Sequence, residues 1–218
     1  MIWPDPQPPR RTTHLTGRPR NLLVFDRWGE FGRPVVLLHG LLLDRTMWWP
    51  VAAELGGAPC TVVAPDLPGH GQSPPREDYG LERIAADLAG LVDSLGLHRA
   101  PIVVGHAASA RLAVAFADAY ATQHVLTLDE PPAGATAVGD LVRPAGLDAV
   151  PAMFRPYAEP RHDPELLRAY EIWLAQPPTR RNQPAMAGRA PMAPAGPTGP
   201  LAPLTDPEGF AAGLRDLL

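Results

Sequence analysis

Short apolar runs alternate with longer amphipathic stretches from Asn21 to about residue 132. Pro34 to Leu38 and Cys60 to Ala64 are continuous apolar runs, the pattern of strands covered on both faces. Ile102 to Val104 and Val125 to Leu128 read the same way, and Asn21 to Trp28 is a further strand turned by Gly29-Glu30-Phe31-Gly32. Between them the spacing becomes helical. Leu81, Ile84, Leu88, Leu91, Val92 and Leu95 fall on one face. Gly96 follows, where a left-handed cap is needed. A shorter helix is predicted near Trp49 to Leu55, with Pro50 tolerated in its first turn. Leu112, Phe116 and Ala119 form the inner face of another. Strand and helix in alternation predict a right-handed, mostly parallel α/β sheet with flanking helices.

The pattern divides the chain into four stretches. Residues 1–20 are rich in Pro and Arg and read as a flexible tail, with a weak strand at Thr12 to Leu15. Residues 21–132 are the α/β core. Residues 133–178 read as a partial helical cap, in which Asp163 is an N-cap and Pro164 a first helical residue. Leu166, Tyr170, Trp173 and Leu174 form its apolar stripe. That stripe either packs over the core or lets Tyr170 and Trp173 line a substrate pocket. Residues 179–218 are broken by Pro184, Pro191, Pro194, Pro197, Pro200, Pro203 and Pro207. Proline blocks helix and central strand alike, so an irregular tail is expected, ending in a short helix over Phe210 to Leu218.

Composition narrows the function classes. A hydrophobic content of 45% builds a core, and a net charge of −4 argues against nucleic acid as a partner. No run approaches the ~18 apolar residues of a membrane span. No signal peptide is apparent either, so a cytoplasmic location is expected. The lone Cys60 allows no internal disulfide and reads as a buried structural thiol. No residue pattern calls for a metal or another cofactor.

Three loop motifs occur in order. The first is Val35-Val36-Leu37-Leu38-His39-Gly40. The second is Asp66-Leu67-Pro68-Gly69-His70-Gly71-Gln72-Ser73. The third is Val104-Gly105-His106-Ala107-Ala108-Ser109, a strand, a sharp turn and a helix start. In this order and spacing the chain resembles the α/β-hydrolase superfamily, among soluble relatives such as esterases, epoxide hydrolases and haloperoxidase-like enzymes. The resemblance implies that the third motif is the nucleophile elbow, G-x-S-x-G in active serine members. Here Ala107 stands at the tip, and a methyl group cannot attack a carbonyl.

The resemblance implies further roles. Backbone N–H groups of Leu41, after His39-Gly40, and of Ala108 would form an oxyanion hole. His39 and His70 would serve the loops. Asp129, after the sixth strand, is either a surviving catalytic acid or a carboxylate bonded to loop amides. Ser109 points roughly 200° from the tip at about 100° per residue, and is expected to cap its own helix start. His106 is a weak candidate for a direct role. No histidine follows His162, so the base of a complete triad has no counterpart. The seventh and eighth strands of the family also have none. Three readings follow: a truncated, catalytically impaired hydrolase relative; a working hydrolase of a small organic substrate with an atypical or subunit-completed site; or a ligand-binding or scaffold protein. An uncovered sixth strand would also favour self-association.

Overall fold

The apolar runs become neighbouring strands of one six-stranded sheet. The computed structural model describes residues 11–131, 137–142, 146–175 and 201–218. In chain order the strands are β1 (Thr12–Thr16), β2 (Leu23–Trp28), β3 (Arg33–Leu38), β4 (Cys60–Pro65), β5 (Ile102–His106) and β6 (His124–Leu128). They lie in the order β1-β2-β4-β3-β5-β6. The last four are parallel, and β1 and β2 join antiparallel at one side. β3 sits centrally, with Val35 and Val36 opposite Val62 and Val63 on one neighbour and opposite Ile102 and Val103 on the other.

The helices are α1 (Trp49–Glu54), α2 (Leu81–Ser94), α3 (Ser109–Ala119), α4 (Pro164–Ala169), α5 (Ile172–Ala175), α6 (Ala202–Thr205) and α7 (Pro207–Arg215). They cover both sheet faces. On one, Val36, Leu38, Val63 and Val103 meet Ile84, Leu88 and Leu91 of α2 and Leu112 and Phe116 of α3. On the other, Val35, Leu37, Val62 and Val104 meet Trp48, Val51, Leu55, Phe210 and Leu214. Successive strand residues point to opposite faces, so two covered faces require the continuous apolar runs.

Three details differ from expectation. The inner face of α3 is Leu112, Ala113, Phe116 and Ala117, and Ala119 is exposed, one residue beyond the stripe. Residues 12–16 form a full strand on β2, pairing Thr12 with Arg27 through Thr16 with Leu23. The C-terminal segment is part of the core. α7 starts at Pro207 because the Asp206 carboxylate accepts from Gly209 N–H and proline suits the first helical turn. Its Phe210 is 1% exposed and lies 6.1 Å from the Trp48 ring. Prolines there occupy first-turn positions, where no intrahelical N–H bond is lost. Residues 1–10 and 176–200, with most of the prolines of the expected tail, lie outside the described residues, as does Pro132.

Truncating a buried aromatic side chain leaves a cavity as well as lost transfer energy. Phe210→Ala should therefore destabilise the fold by about 3–5 kcal/mol. Urea unfolding followed by Trp fluorescence reads this directly. A change below about 0.5 kcal/mol, the level of a surface substitution, would show that α7 does not pack on α1.

Candidate active site

The site is built where three strand ends meet their loops. β5 stops at His106, Ala107 turns the chain at φ +51°, and α3 begins at Ser109. The turn is tight because Gly105 has no side chain. A Cβ there would stand 2.3 Å from Ser109 O and 2.7 Å from Ala110 Cα. The Ala107 N–H donates to Leu128 O at 2.8 Å, which fastens the elbow to the end of β6. Asp129 follows at φ +49°.

The loop after β3 presses on this elbow. A Cβ on Gly40 would lie 2.7 Å from His106 Nδ1 and 3.4 Å from the Ala107 methyl. The loop is held by two histidines acting reciprocally. His39 Nε2 accepts from the Leu67 N–H at 2.9 Å, and His70 Nε2 accepts from the Leu42 N–H at 3.0 Å. Each ring therefore carries its proton on Nδ1, donated by His39 to Gly40 O at 2.8 Å and by His70 to Pro68 O at 3.1 Å. Burial lowers His39 to about 4 and His70 to about 3, so both are neutral near pH 7.

Beside Ala107 lies a cavity of about 20 Å³, room for roughly one water molecule. Gly40, Leu41, His106, Ala107 and Asp129 line it, and Leu141 and Leu201 help to close it. Among the described residues, neither the Leu41 N–H nor the Ala108 N–H is taken up by a protein acceptor. The structure thus brings His106, Ala107, Asp129, Gly40 and Leu41 together, with Ala108 next in the turn.

Other expected site residues lie elsewhere. Ser109 is buried, and its hydroxyl donates to His39 O instead of capping its own helix. His39 stands behind the loop, bonded as above. Tyr170 and Trp173 do not line the cavity. Both are fully buried in the core, because their polar atoms find partners there: Tyr170 Oη donates to Pro68 O at 2.8 Å, and Trp173 Nε1 to Tyr79 O at 2.7 Å. His162 is exposed at the start of α4. Among the described residues no group of three or more His, Cys, Asp or Glu could hold a metal ion. No helix there is long and apolar enough to cross a membrane.

One buried constellation escaped the sequence reading. Arg45 lies between two carboxylates, its Nε 3.1 Å from Asp26 Oδ2 and its Nη1 paired with Asp66 Oδ2. Asp66 also accepts from the amides of Arg45 at 2.9 Å and Gln72 at 2.7 Å. Gly71 lets the chain wrap this carboxylate, since a Cβ there would meet Asp66 Oδ2 at 2.0 Å. An aspartate inside the apolar pattern of β2 was the available signal.

Comparison with known proteins agrees with this geometry. The family model described as Alpha/beta hydrolase family matches residues 35–218. Epoxide hydrolase A of Mycobacterium tuberculosis is 43% identical over 82 residues, covering 36% of this chain and 25% of that protein. A 2-hydroxy-6-oxo-2,4-heptadienoate hydrolase of Pseudomonas putida is 39% identical over 90 residues, covering 39% of this chain and 32% of that protein. The chain thus spans about a quarter to a third of the length of these curated relatives. The solved epoxide hydrolase CorEH superposes with a TM-score of 0.68 over 95% of this chain and 98% of that one. At 18% identity that likeness speaks for the fold alone.

The histidine pair sets a pH dependence. Both native values lie below the unfolded value of about 6.5, so the unfolded chain binds protons that the native state refuses. The stabilisation is complete above about pH 6.5 and is lost as pH falls towards 4 and 3. Between pH 6.0 and 5.0 the unfolding free energy should fall by about 2 kcal/mol, approaching the ~1.4 kcal/mol per unit that each histidine contributes. Urea titrations at the two pH values measure it. His70→Asn should roughly halve the slope, and an unchanged slope would show that His70 titrates normally.

Proposed function

Because this chain belongs to the α/β-hydrolase family, we propose that it is a relative of ester- and epoxide-cleaving hydrolases that keeps the oxyanion turn and has lost the attacking group. The observation that carries this reading is Ala107, held at φ +51° at the elbow with no nucleophilic atom. The neighbouring Ser109 hydroxyl does not substitute, because it is buried and committed to His39 O. The N–H groups of Leu41 and Ala108 are the donors that a carbonyl oxygen would meet, at the start of α3 where the helix dipole also favours negative charge. Binding and polarisation remain available to such a turn. Covalent attack does not, since the methyl carbon offers no lone pair.

The purified chain should therefore turn over p-nitrophenyl acetate and styrene oxide at least about 10³-fold more slowly than the ordinary enzyme range of roughly 1–10³ s⁻¹. Ala107→Ser should restore less than about tenfold, because nucleophile and base act as a unit. A kcat in the ordinary range that co-purifies with the chain would overturn the proposal.

A second reading rests on Asp129 and His106, which line the same water-sized cavity as Ala107. A water held there would attack an ester carbonyl, one of these groups accepting its proton and returning it to the departing alkoxide as the ester C–O bond breaks. In that case slow turnover is retained by the wild type and falls about 10²-fold or more in Asp129→Asn. Equal rates in the two proteins exclude it.

The sheet edge supports an association of like chains. β6 is one of the two edge strands among the described residues, opposite β1, and pairs only with β5. An edge strand offers N–H and C=O groups to another chain. Light scattering should show dimers at micromolar concentration, and a monomer across that range would argue against edge pairing.

A further inference from the structure

The loops after β3 and β4 are joined beside the cavity by two bonds that run in opposite directions. The first loop carries His39 as acceptor and the Leu42 N–H as donor. The second carries His70 as acceptor and the Leu67 N–H as donor. Separating the loops breaks both bonds at once and frees both rings. Each bond needs a bare Nε2, so protonation of either ring sets a donor against an N–H. Leu42 stands at φ +66°, a conformation that its surroundings must hold. The His70 bond is one hold, and the Arg161 N–H on Leu42 O at 2.7 Å is another.

Both loops are anchored just outside this exchange. The Arg45 N–H donates to Asp66 Oδ1 at 2.9 Å. Ser73 Oγ donates to Asp66 O at 2.8 Å and accepts from the Val24 N–H at 2.9 Å. These contacts use no histidine. They bound residues 39–43 and 67–71 as a pair of segments that can part while the sheet stays whole.

Charged and titratable groups face the pair from every side. Burial is the largest influence and opposes the cation at both rings. Asp44 favours it at His39, while His106 and Arg45 oppose it. At His70, His39 opposes it and Asp66 favours it. Tyr170 lies edge-on to His70 with its hydroxyl on Pro68 O, and burial keeps that hydroxyl protonated. Both carboxylates are committed elsewhere, Asp44 to Thr46 and Asp66 to Arg45 and Gln72. A buried imidazolium thus has no carboxylate partner, and each ring gains its proton by reaching water.

We propose that acid opens these two loops together as one local unit, His39 and His70 each taking up a proton, and so removes the wall that Gly40 and Leu41 give the cavity at Ala107. Two protons bound on opening raise the opened population by about 100-fold per pH unit below roughly pH 6. That this dismantles a carbonyl-binding turn rests on the function proposed above. The opening itself does not.

Native-state hydrogen exchange of the full ¹⁵N-labelled chain, read by NMR at pH 7.0 and 5.5, tests the opening without substrate. The protection of the Leu42 and Leu67 N–H groups, corrected for intrinsic exchange, should fall together by about 70-fold, the gain for two rings that titrate near 6.5 once open. Both should remain at least about tenfold less protected than Val36 and Val103 at the sheet centre. His70→Asn keeps a carbonyl acceptor for Leu42 and removes one titration. The fall at Leu67, whose N–H is bonded to His39, should then shrink to about eightfold. A wild-type fall below about tenfold at either amide overturns the proposal. So does protection equal to that of Val36, which means release by global unfolding alone. So does a Leu67 response in His70→Asn as large as in the wild type. If that variant does not fold, the two wild-type readings decide. None of these readings changes if the chain proves to hydrolyse esters, so the two proposals fail separately.

Discussion

The exchange between His39 and His70 is the constraint on which the site depends. Each ring belongs to one loop and accepts a backbone N–H from the other. The loops after β3 and β4 are thereby tied at depth, with ring centroids 5.0 Å apart and Tyr170 set edge-on to His70 at 5.2 Å. Imidazole suits this role because one ring donates and accepts at once. Protonating either ring places a donor against a donor, which explains why burial and function of the pair both require neutrality. The loop so held carries Gly40 and Leu41 to the elbow.

That positioning also accounts for the strain. The three non-glycine residues with positive φ among the described residues are Leu42, Ala107 and Asp129. All stand at or beside the cavity. Such conformations cost of the order of 1–3 kcal/mol each and persist where the surroundings over-determine them. Here the surroundings are specific. The Leu42 N–H is held by His70, and the Ala107 N–H by Leu128 O. Gly105 allows α3 to pass close over β5. The elbow keeps its geometry because the fold imposes it, although Ala107 brings no chemistry that uses it.

The buried charge of Arg45, Asp26 and Asp66 works at the other side of the same loops. Removing one partner would leave an uncompensated charge in the core. Trp49 Nε1 and Thr13 Oγ1 also donate to Asp26, at 2.8 and 2.7 Å. One carboxylate thus ties β1, β2 and the start of α1. Asp66 gathers the loop that contains His70. Packing holds the sheet, and these few polar contacts fix where its loops point.

Much of this was legible along the chain. The continuous apolar runs required strands with two covered faces, because strand side chains alternate. The helical spacing of α2 required one buried face, and Gly96 sits at φ +67° where a cap was expected. Ala107 at the elbow tip was a matter of reading one letter in a motif. What local pattern does not encode is the partner of a polar atom far away in sequence. Ser109 bonds to His39, 70 residues earlier, and so leaves its own helix start uncapped. Tyr170 and Trp173 reach Pro68 and Tyr79, which draws their apolar stripe into the core and away from any substrate. The segment from Leu201 reads as irregular by its prolines up to the short helix at its end, yet it fills the second face of the sheet. The volume left beside Ala107 was equally invisible, since it is what remains after side chains from Gly40 to Leu201 have packed together. Periodicity is a property of neighbours in the chain and sets elements. Hydrogen-bond satisfaction and packing are properties of neighbours in space, and only the folded chain decides them.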